Sequence, residues 1–330
     1  MRKLLLFTGI FSTMMLISLA ANAQIVSYNH GGLWTDPNTW VGGVVPGAGD
    51  DVVINGHVLV PPSQYCHDIT ISNEDTLSCV SYNQGTLYVG GTVNNYGLIM
   101  DLGNRTLTLH IAENISNQGH WSNKEIKLNG TTDQYISLQS GKVFKTNFFS
   151  GNPNTIHAQT DFNIQGHIDL QGNTMDMHNY NFNCWPAGGG ISDGTFLNVG
   201  DINGPVYLGD LNVHGNIEFD DFVTVRDWVH IYGDVIVNDT VRNPHGFYGR
   251  LNIHGSIINN GVLLTDNGTW GRLRVYITAD IENNGEWVVQ NTYLDGTSKQ
   301  SITLQTGKSF NTDFYHQNPD SVQMFSDLTF

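Results

Sequence analysis

The chain repeats itself. Aligning Gly130 to Pro153 with Gly296 to Pro319 at a constant offset of 166 gives 13 identities in 24 positions, including Gly141-Lys142 with Gly307-Lys308 and Asn152-Pro153 with Asn318-Pro319. The match extends upstream through Ile111, Ile115, Gly119 and Trp121, which pair with Ile277, Ile281, Gly285 and Trp287. Further back it resumes at an offset of 164, pairing Leu87, Val89, Gly91 and Gly97 with Leu251, Ile253, Gly255 and Gly261. A long duplication that absorbs a two-residue length change is what a solenoid tolerates, because each coil contacts chiefly its neighbours and loops take up insertions.

A shorter unit lies inside the long one: a strand of alternating apolar residues, a Gly, a second strand, then an Asn-rich turn ending in Gly. It runs over Leu87 to Gly97, Leu109 to Gly119, Leu251 to Gly261 and Val275 to Gly285, with partial copies at Phe162 to Gly172, Leu211 to Phe219 and Val229 to Val237. Copies begin about 18 to 24 residues apart, the length of one coil of a parallel β-helix. Asn259-Asn260-Gly261 and Asn283-Asn284-Gly285 are expected to supply positive φ at the bend, and stacked Asn side chains to form amide ladders. The fold expected is therefore all-β, a right-handed parallel β-helix (pectin-lyase-like solenoid) with an amino-terminal cap. A pair of antiparallel sandwiches is the alternative, though hairpin-linked strands recur less regularly. The expected organisation is a signal peptide over 1–23, a cap segment over 24–65, and a β-helix over 66–330 whose duplicated halves span about 85–164 and 249–330.

The leader is read from Arg2 and Lys3, the apolar run Leu4 to Leu19, and Ala21-Asn22-Ala23, which fits a signal-peptidase site before Gln24. A membrane-anchoring helix is the competing reading, but the apolar core is short and Thr8, Gly9, Ser12 and Thr13 interrupt it. No later segment approaches the ~20 apolar residues of a membrane span. Without Arg2 and Lys3 the formal charge moves from −16 to −18, with 12 basic residues against 30 acidic. That balance disfavours nucleic acid and anionic membranes, and repels polyanionic glycans unless the acids lie on another face. Three cysteines entering an oxidising compartment leave at least one unpaired: Cys66 and Cys79 flank a strand-like stretch and form a candidate disulfide, whereas Cys184 reads as a buried thiol.

The stretch Gly32-x-Trp34-x-Asp36-Pro37-x-Thr39-Trp40-x-Gly42-Gly43, followed by Val45-Pro46, Gly49-Asp50-Asp51, Val52, Ile54 and Gly56, resembles the amino-terminal segment of secreted bacterial β-helix proteins. More distantly it resembles the eight-glycine extracellular domain of some animal surface and hyaluronan-degrading proteins. The resemblance implies a large exported surface protein of the kind that often ends in a type IX secretion sorting domain. Here Ser326 to Phe330 aligns with Thr160 to Ile164, inside a repeat, so a longer gene product is expected. Trp34 and Trp40 are expected to plug the end of the helix. Asp50-Asp51 is read as a turn, since Ca²⁺ needs six or more oxygens and no D-x-D-x-D loop surrounds the pair.

Catalytic patterns are incomplete. Polygalacturonase-type enzymes converge carboxylates, a His and a basic pair; Asp220-Asp221, His245-Gly246 and Arg272-Leu273-Arg274 stand in comparable order but lack G-H-G and the upstream N-x-D. A lyase needs a basic residue at the proton to be abstracted, yet Lys142 and Lys308 recur in equivalent Gly-Lys positions and read as turns. There is no H-E-x-x-H or zinc Cys cluster, so neither metal nor cofactor is assigned. The site reading is a stripe: with Leu87 and Val89 inward, Tyr88 points outward, and equivalent outward positions include His110, His230 and Tyr276. Those four, with intervening Asn amides, are expected to line one flat face suited to neutral sugars through ring stacking and hydroxyl hydrogen bonds. The function expected is a secreted or cell-surface adhesin, scaffold or glycan-binding module without catalysis; the alternative is a carbohydrate-active enzyme, a polysaccharide lyase or glycoside hydrolase, on the same fold.

Overall fold

The computed structural model describes residues 24–80, 83–184, 189–266 and 272–326; the leader expected over 1–23 lies outside them. The chain is a parallel β-helix of about 13 turns, its strands almost all two to ten residues long and paired in parallel with the strands one coil before and after. Pairings trace three faces, visited in the same order in every coil. The first runs from Gln64–Cys66 through Gly85–Val89, Leu107–Ile111, Glu125–Leu128, Asn147–Ser150 and His167–Asp169, and on to Thr240–Arg242 and Val262–Leu264. The second runs from Gln24–Val26 through Val93–Asn95, Ile115–Asn117, Gln134–Leu138, Ile156–Ala158 and Thr174–Asp176 to Tyr248–Ile253, Arg272–Ile277 and Phe310–His316. The third starts at Gly32–Leu33 and ends at Val322–Met324; Phe144, bridging Trp121 and Ile164, joins its two parts.

Alternation decides what goes inside. Strands such as Gly85–Val89 and Leu107–Ile111 bury every second residue, and these inward side chains merge into one continuous apolar core. Gly190–Leu197, Val206–His214 and Val223–Tyr232 turn from the first face to the second without ending. Each bends at an Asp held at positive φ: Asp193 (56°), Asp210 (45°) and Asp227 (57°). Asp suits these corners because its short polar side chain tolerates the left-handed region. The Asn-Gly turns behave otherwise than the sequence suggests. Gly119, Gly261 and Gly285 do not sit at positive φ. A Cβ on them would meet the carbonyl oxygen of the coil beneath at 2.1, 2.0 and 2.0 Å, so close backbone approach is what demands glycine. The amide ladders do form: Asn95 donates to Asn117 Oδ1 at 2.8 Å, and Asn259 to Asn283 Oδ1 at 2.8 Å, all four buried.

The duplication reproduces a set of internal contacts, although the Trp121 indole donates to Asn123 Oδ1 and its counterpart Trp287 to Thr292 Oγ1. Gln134 Nε2 donates to the carbonyls of Ile111 and Glu113, and Asn152 donates to Gln134 Oε1. In the second copy Gln300 reaches Ile277 and Ala279, and Asn318 donates to Gln300. Trp121 packs edge-on against Phe144 at 5.4 Å, as Trp287 does against Phe310 at 5.3 Å. Yet the copies are out of phase. Gln134–Leu138 lies on the second face and its counterpart Gln300–Leu304 on the third; Leu107–Ile111 lies on the first and its counterpart within Arg272–Ile277 on the second. The offset therefore spans a whole number of turns plus one face.

At the amino-terminal end Trp34 and Trp40 are fully buried and meet edge-on at 5.1 Å, with Trp40 Nε1 donating to the Trp34 carbonyl at 2.7 Å. Gly141 and Gly307, at φ 79° and 81°, precede Lys142 and Lys308, whose backbone N–H groups close equivalent turns on Gln139 and Gln305. The disulfide proposed for Cys66 and Cys79 does not form: both are free, buried thiols, one on the first face and one on the third. Burial pushes the thiol pKa up in each, and Cys184, also free, reaches about 11. All three therefore act as small apolar fillers. No helix among the described residues is long and apolar enough to cross a membrane.

Gln134 tests how much the buried amides contribute. Gln134→Leu leaves the Glu113 carbonyl and one N–H of the Asn152 amide unpaired, while Asn129 still donates to the Ile111 carbonyl and Asn152 to that of Thr132; it is expected to lower unfolding free energy by about 2–4 kcal/mol in urea titrations. A loss below about 0.5 kcal/mol would refute a structural role for this bracket.

Candidate functional site

The phase shift separates the four residues expected to share a stripe. Tyr88 and His110 stand on the first face, in an outward row with Tyr65 and then Lys127. His230 and Tyr276 stand on the second, in a row that reads His230, Asn252, Tyr276, Tyr293 and Tyr315. A single face bearing all four is thereby excluded. The first-face row is short: Tyr65 stacks on Tyr88 at 5.0 Å, Tyr88 on His110 at 4.4 Å, and the rings end there.

The second face carries a larger array in its later coils. Tyr276 stacks on Tyr293 at 4.1 Å and Tyr293 on Tyr315 at 4.9 Å. One outward row along, His214, Tyr232 and His254 stack at 4.5 and 4.4 Å. On the other side lie Trp228, Arg250 and Arg274 in register, with Tyr248 opposite Arg272. The Arg250 guanidinium sits 4.3 Å from the Trp228 ring centre and 3.9 Å from that of Tyr276, and its Nε donates to Asn252 Oδ1 at 2.9 Å. Arg226 covers Phe247 at 4.0 Å. Trp228 remains 53% exposed despite the arginine on one face.

Charge is segregated. Arg226, Arg242, Arg250, Arg272 and Arg274 are five of the chain's 14 basic residues, and all project from these coils of the first and second faces. Arg226 is paired, its Nε 3.1 Å from Asp227 Oδ2. The Nε atoms of Arg242 and Arg274 are buried and have no protein acceptor. Ring stacking also determines what the patch offers. Faces turned toward neighbours along the helix axis present edges outward, so the Tyr ladder shows hydroxyls and the His rings show nitrogens. Burial pushes the Tyr276 hydroxyl pKa up, keeping it a neutral donor and acceptor. Burial lowers His230 and His254, and for His230 the neighbouring His254 and Arg250 lower it further.

The catalytic constellation does not assemble. Asp220 and Asp221 occupy the corner between the third and first faces, where Asp220 Oδ1 accepts from Asn238 and Asp221 Oδ2 accepts from the Gly204 N–H, each at 2.8 Å. His245 lies on the connection from the first face to the second, and Arg272 and Arg274 lie on the second face itself. Acids and bases thus stand at different corners. Asp50 closes a turn on the Gly47 N–H at 2.8 Å, while Asp51 Oδ1 meets His67 Nδ1 at 2.9 Å. The sequence reading missed Trp228, Arg250, Tyr293 and Tyr315, and named Arg274 only as part of the candidate catalytic order. The alternation of Arg226, Trp228, His230 and Tyr232 about one corner was the available signal for part of the patch.

Histidine burial sets a pH dependence. Burial lowers the pKa of His57, His110, His120, His167, His230 and His254, whereas the Asp51 hydrogen bond raises His67. The six bind protons more weakly folded than unfolded, so the stability they contribute is complete above the unfolded value near 6.5 and is lost as pH falls through their folded values. His67 has the opposite sign, stabilising below about 6.5 and losing that effect as pH rises through its folded value. Six against one makes the urea midpoint lower at about pH 5.5 than at about pH 7.5. His167, hydrogen-bonded to Ser192 Oγ at 2.7 Å, supplies the check: His167→Gln is expected to flatten the difference, and a midpoint that rises on acidification contradicts this account.

Comparison with family models, with curated proteins and with solved structures finds no match to this chain.

Proposed function

We propose that this protein is an exported β-helix of the cell surface or extracellular space that binds glycans without cleaving them, through the arginine and aromatic patch on its second face. The observation that carries the reading is Arg250 held between Trp228 and Tyr276 in a row continued by Arg274. Guanidinium groups braced against rings lose little freedom on binding and suit planar carboxylates or sulfates, while Tyr hydroxyls and Asn amides suit sugar hydroxyls. An acidic polysaccharide is therefore the favoured class, approached where the arginines concentrate rather than over the acidic remainder. Export is supported by the leader pattern and by the Gly32 to Gly56 segment, whose resemblance is to secreted β-helix proteins. The residues on which the enzyme alternative rested, Asp220, Asp221, His245, Arg272 and Arg274, stand at different corners.

The test is a glycan array probed with the chain from Gln24 onward, run beside a reducing-end release assay. Uronate-containing or sulfated glycans are expected to bind, more weakly as ionic strength rises. Arg250→Ala and Trp228→Ala are each expected to weaken binding about tenfold or more, whereas Tyr88→Ala on the first face leaves it unchanged. Release of reducing ends would favour the enzyme, and binding indifferent to Arg250 and Trp228 would remove the patch from the account.

A further inference from the structure

We propose that His157, His178 and Asp176 form a binding site for a borderline divalent transition-metal ion such as Zn²⁺, with Asp133 as the residue that positions His157. The site lies on the second face, several coils before the arginine patch. His157 projects from Ile156–Ala158, and Asp176 is its register partner on the next coil. His178 follows two residues later, with His178 and Asn179 both at positive φ, 50° and 65°. That turn carries the His178 ring back over the coil beneath. One donor atom from each of the three residues lies within 4.8 Å of the other two.

The donor geometry suits a metal. His157 Nδ1 and His178 Nε2 are 2.9 Å apart. Two nitrogens bound at ~2.0–2.1 Å to one ion, at angles from a right angle to tetrahedral, stand about 2.9–3.4 Å apart. On the far side of the ring His157 Nε2 lies 3.5 Å from Asp133 Oδ2, and Tyr135 stacks on the ring at 4.9 Å. A carboxylate at Nε2 keeps the proton there and leaves Nδ1 its lone pair, as carboxylates behind metal-binding histidines do. Asp176 is anchored through Oδ1, which accepts from the His178 N–H at 2.9 Å and from Asn198 at 3.0 Å, so Oδ2 is left for an ion. Without metal, a single proton between the two rings satisfies both nitrogens. The ion takes its place as His178 shifts to its other neutral tautomer, with the proton on Nδ1, 3.8 Å from Asp176 Oδ2. Two imidazoles and one carboxylate select Zn²⁺, Co²⁺, Ni²⁺ or Cu²⁺ over the oxygen-seeking Ca²⁺ and Mg²⁺. The solvent-facing side of His178 leaves the remaining positions to water or an outside ligand.

Titration of the chain from Gln24 onward with Co²⁺, followed by its visible d–d absorption and by Zn²⁺ competition, tests this. Binding of about one ion per chain is expected, with Ca²⁺ unable to compete. His178→Gln, on an exposed side chain, is expected to weaken binding at least about tenfold, and the His157→Gln, His178→Gln pair to abolish it, with circular dichroism unchanged. Asp133→Asn is expected to weaken affinity about ten- to a hundredfold while keeping the stoichiometry. The cluster of Asp51, His67 and Asp68 serves as the internal control, since it offers one imidazole where the proposed site offers two. His67→Gln should change nothing. Absence of binding, survival in the paired variant, or loss with His67→Gln overturns the proposal.

Discussion

Parallel stacking of each coil on the one beneath is the constraint on which everything else in this molecule depends. Backbone groups on all three faces find their partners one coil away, so inward and outward positions repeat in columns. Where backbones come closest, as at Gly119, Gly261 and Gly285, a side chain cannot be admitted. At the turns Gln134 and Gln300 donate to the carbonyls of Glu113 and Ala279, and buried Asn side chains pair with one another from coil to coil. Turn chemistry and core chemistry are thus two answers to one demand, that every buried polar group find a partner in the adjacent coil.

Columns also explain why a duplicated chain need not have duplicated surfaces. The two copies keep a shared set of internal contacts but are set one face apart, so Tyr88 and its counterpart Asn252 look out in different directions. Selection on a surface acts on a column, which mixes residues from both copies and from the coils between them. The arginine patch joins residues of the second copy, such as Arg250 and Arg274, to Trp228 from the coils between the copies. The histidine cluster likewise joins the first copy to the coils after it, and the part within the copy has diverged: at the offset of 166, Asp133 corresponds to Lys299 and His157 to Gln323. Bonds within and between coils survived the duplication while outward side chains diverged, as expected where only the inward half is tied to packing.

Much of the fold was legible because a β-helix writes its period into the chain. Alternating Leu87, Val89 and Leu109, Ile111 marked inward positions, and recurring Asn-x-Gly marked the ends of coils. The functional surface was less legible. Tyr88, His110, His230 and Tyr276 were each correctly read as outward-facing, but the face each belongs to depends on every coil length between them. The coils around Val206–His214 and Val223–Tyr232 are shorter than those before and after, and no local pattern reveals how such differences accumulate. Likewise Cys66 and Cys79 lie near one another in sequence, yet fall on different faces because one strand separates their coils' phases.

The sequence by itself determined the class of fold, the coil as its unit, the internal duplication and the inward half of each strand, because these follow from local alternation and glycine spacing. Only the tertiary structure decided which outward residues become neighbours. Arg250 beside Trp228 and Tyr276, or His157 beside His178, are contacts between residues 21 or more positions apart, made by coil stacking alone. The physical reason is that packing of the core and pairing of the backbone set the phase of each coil, and surface side chains are carried to wherever that phase places them.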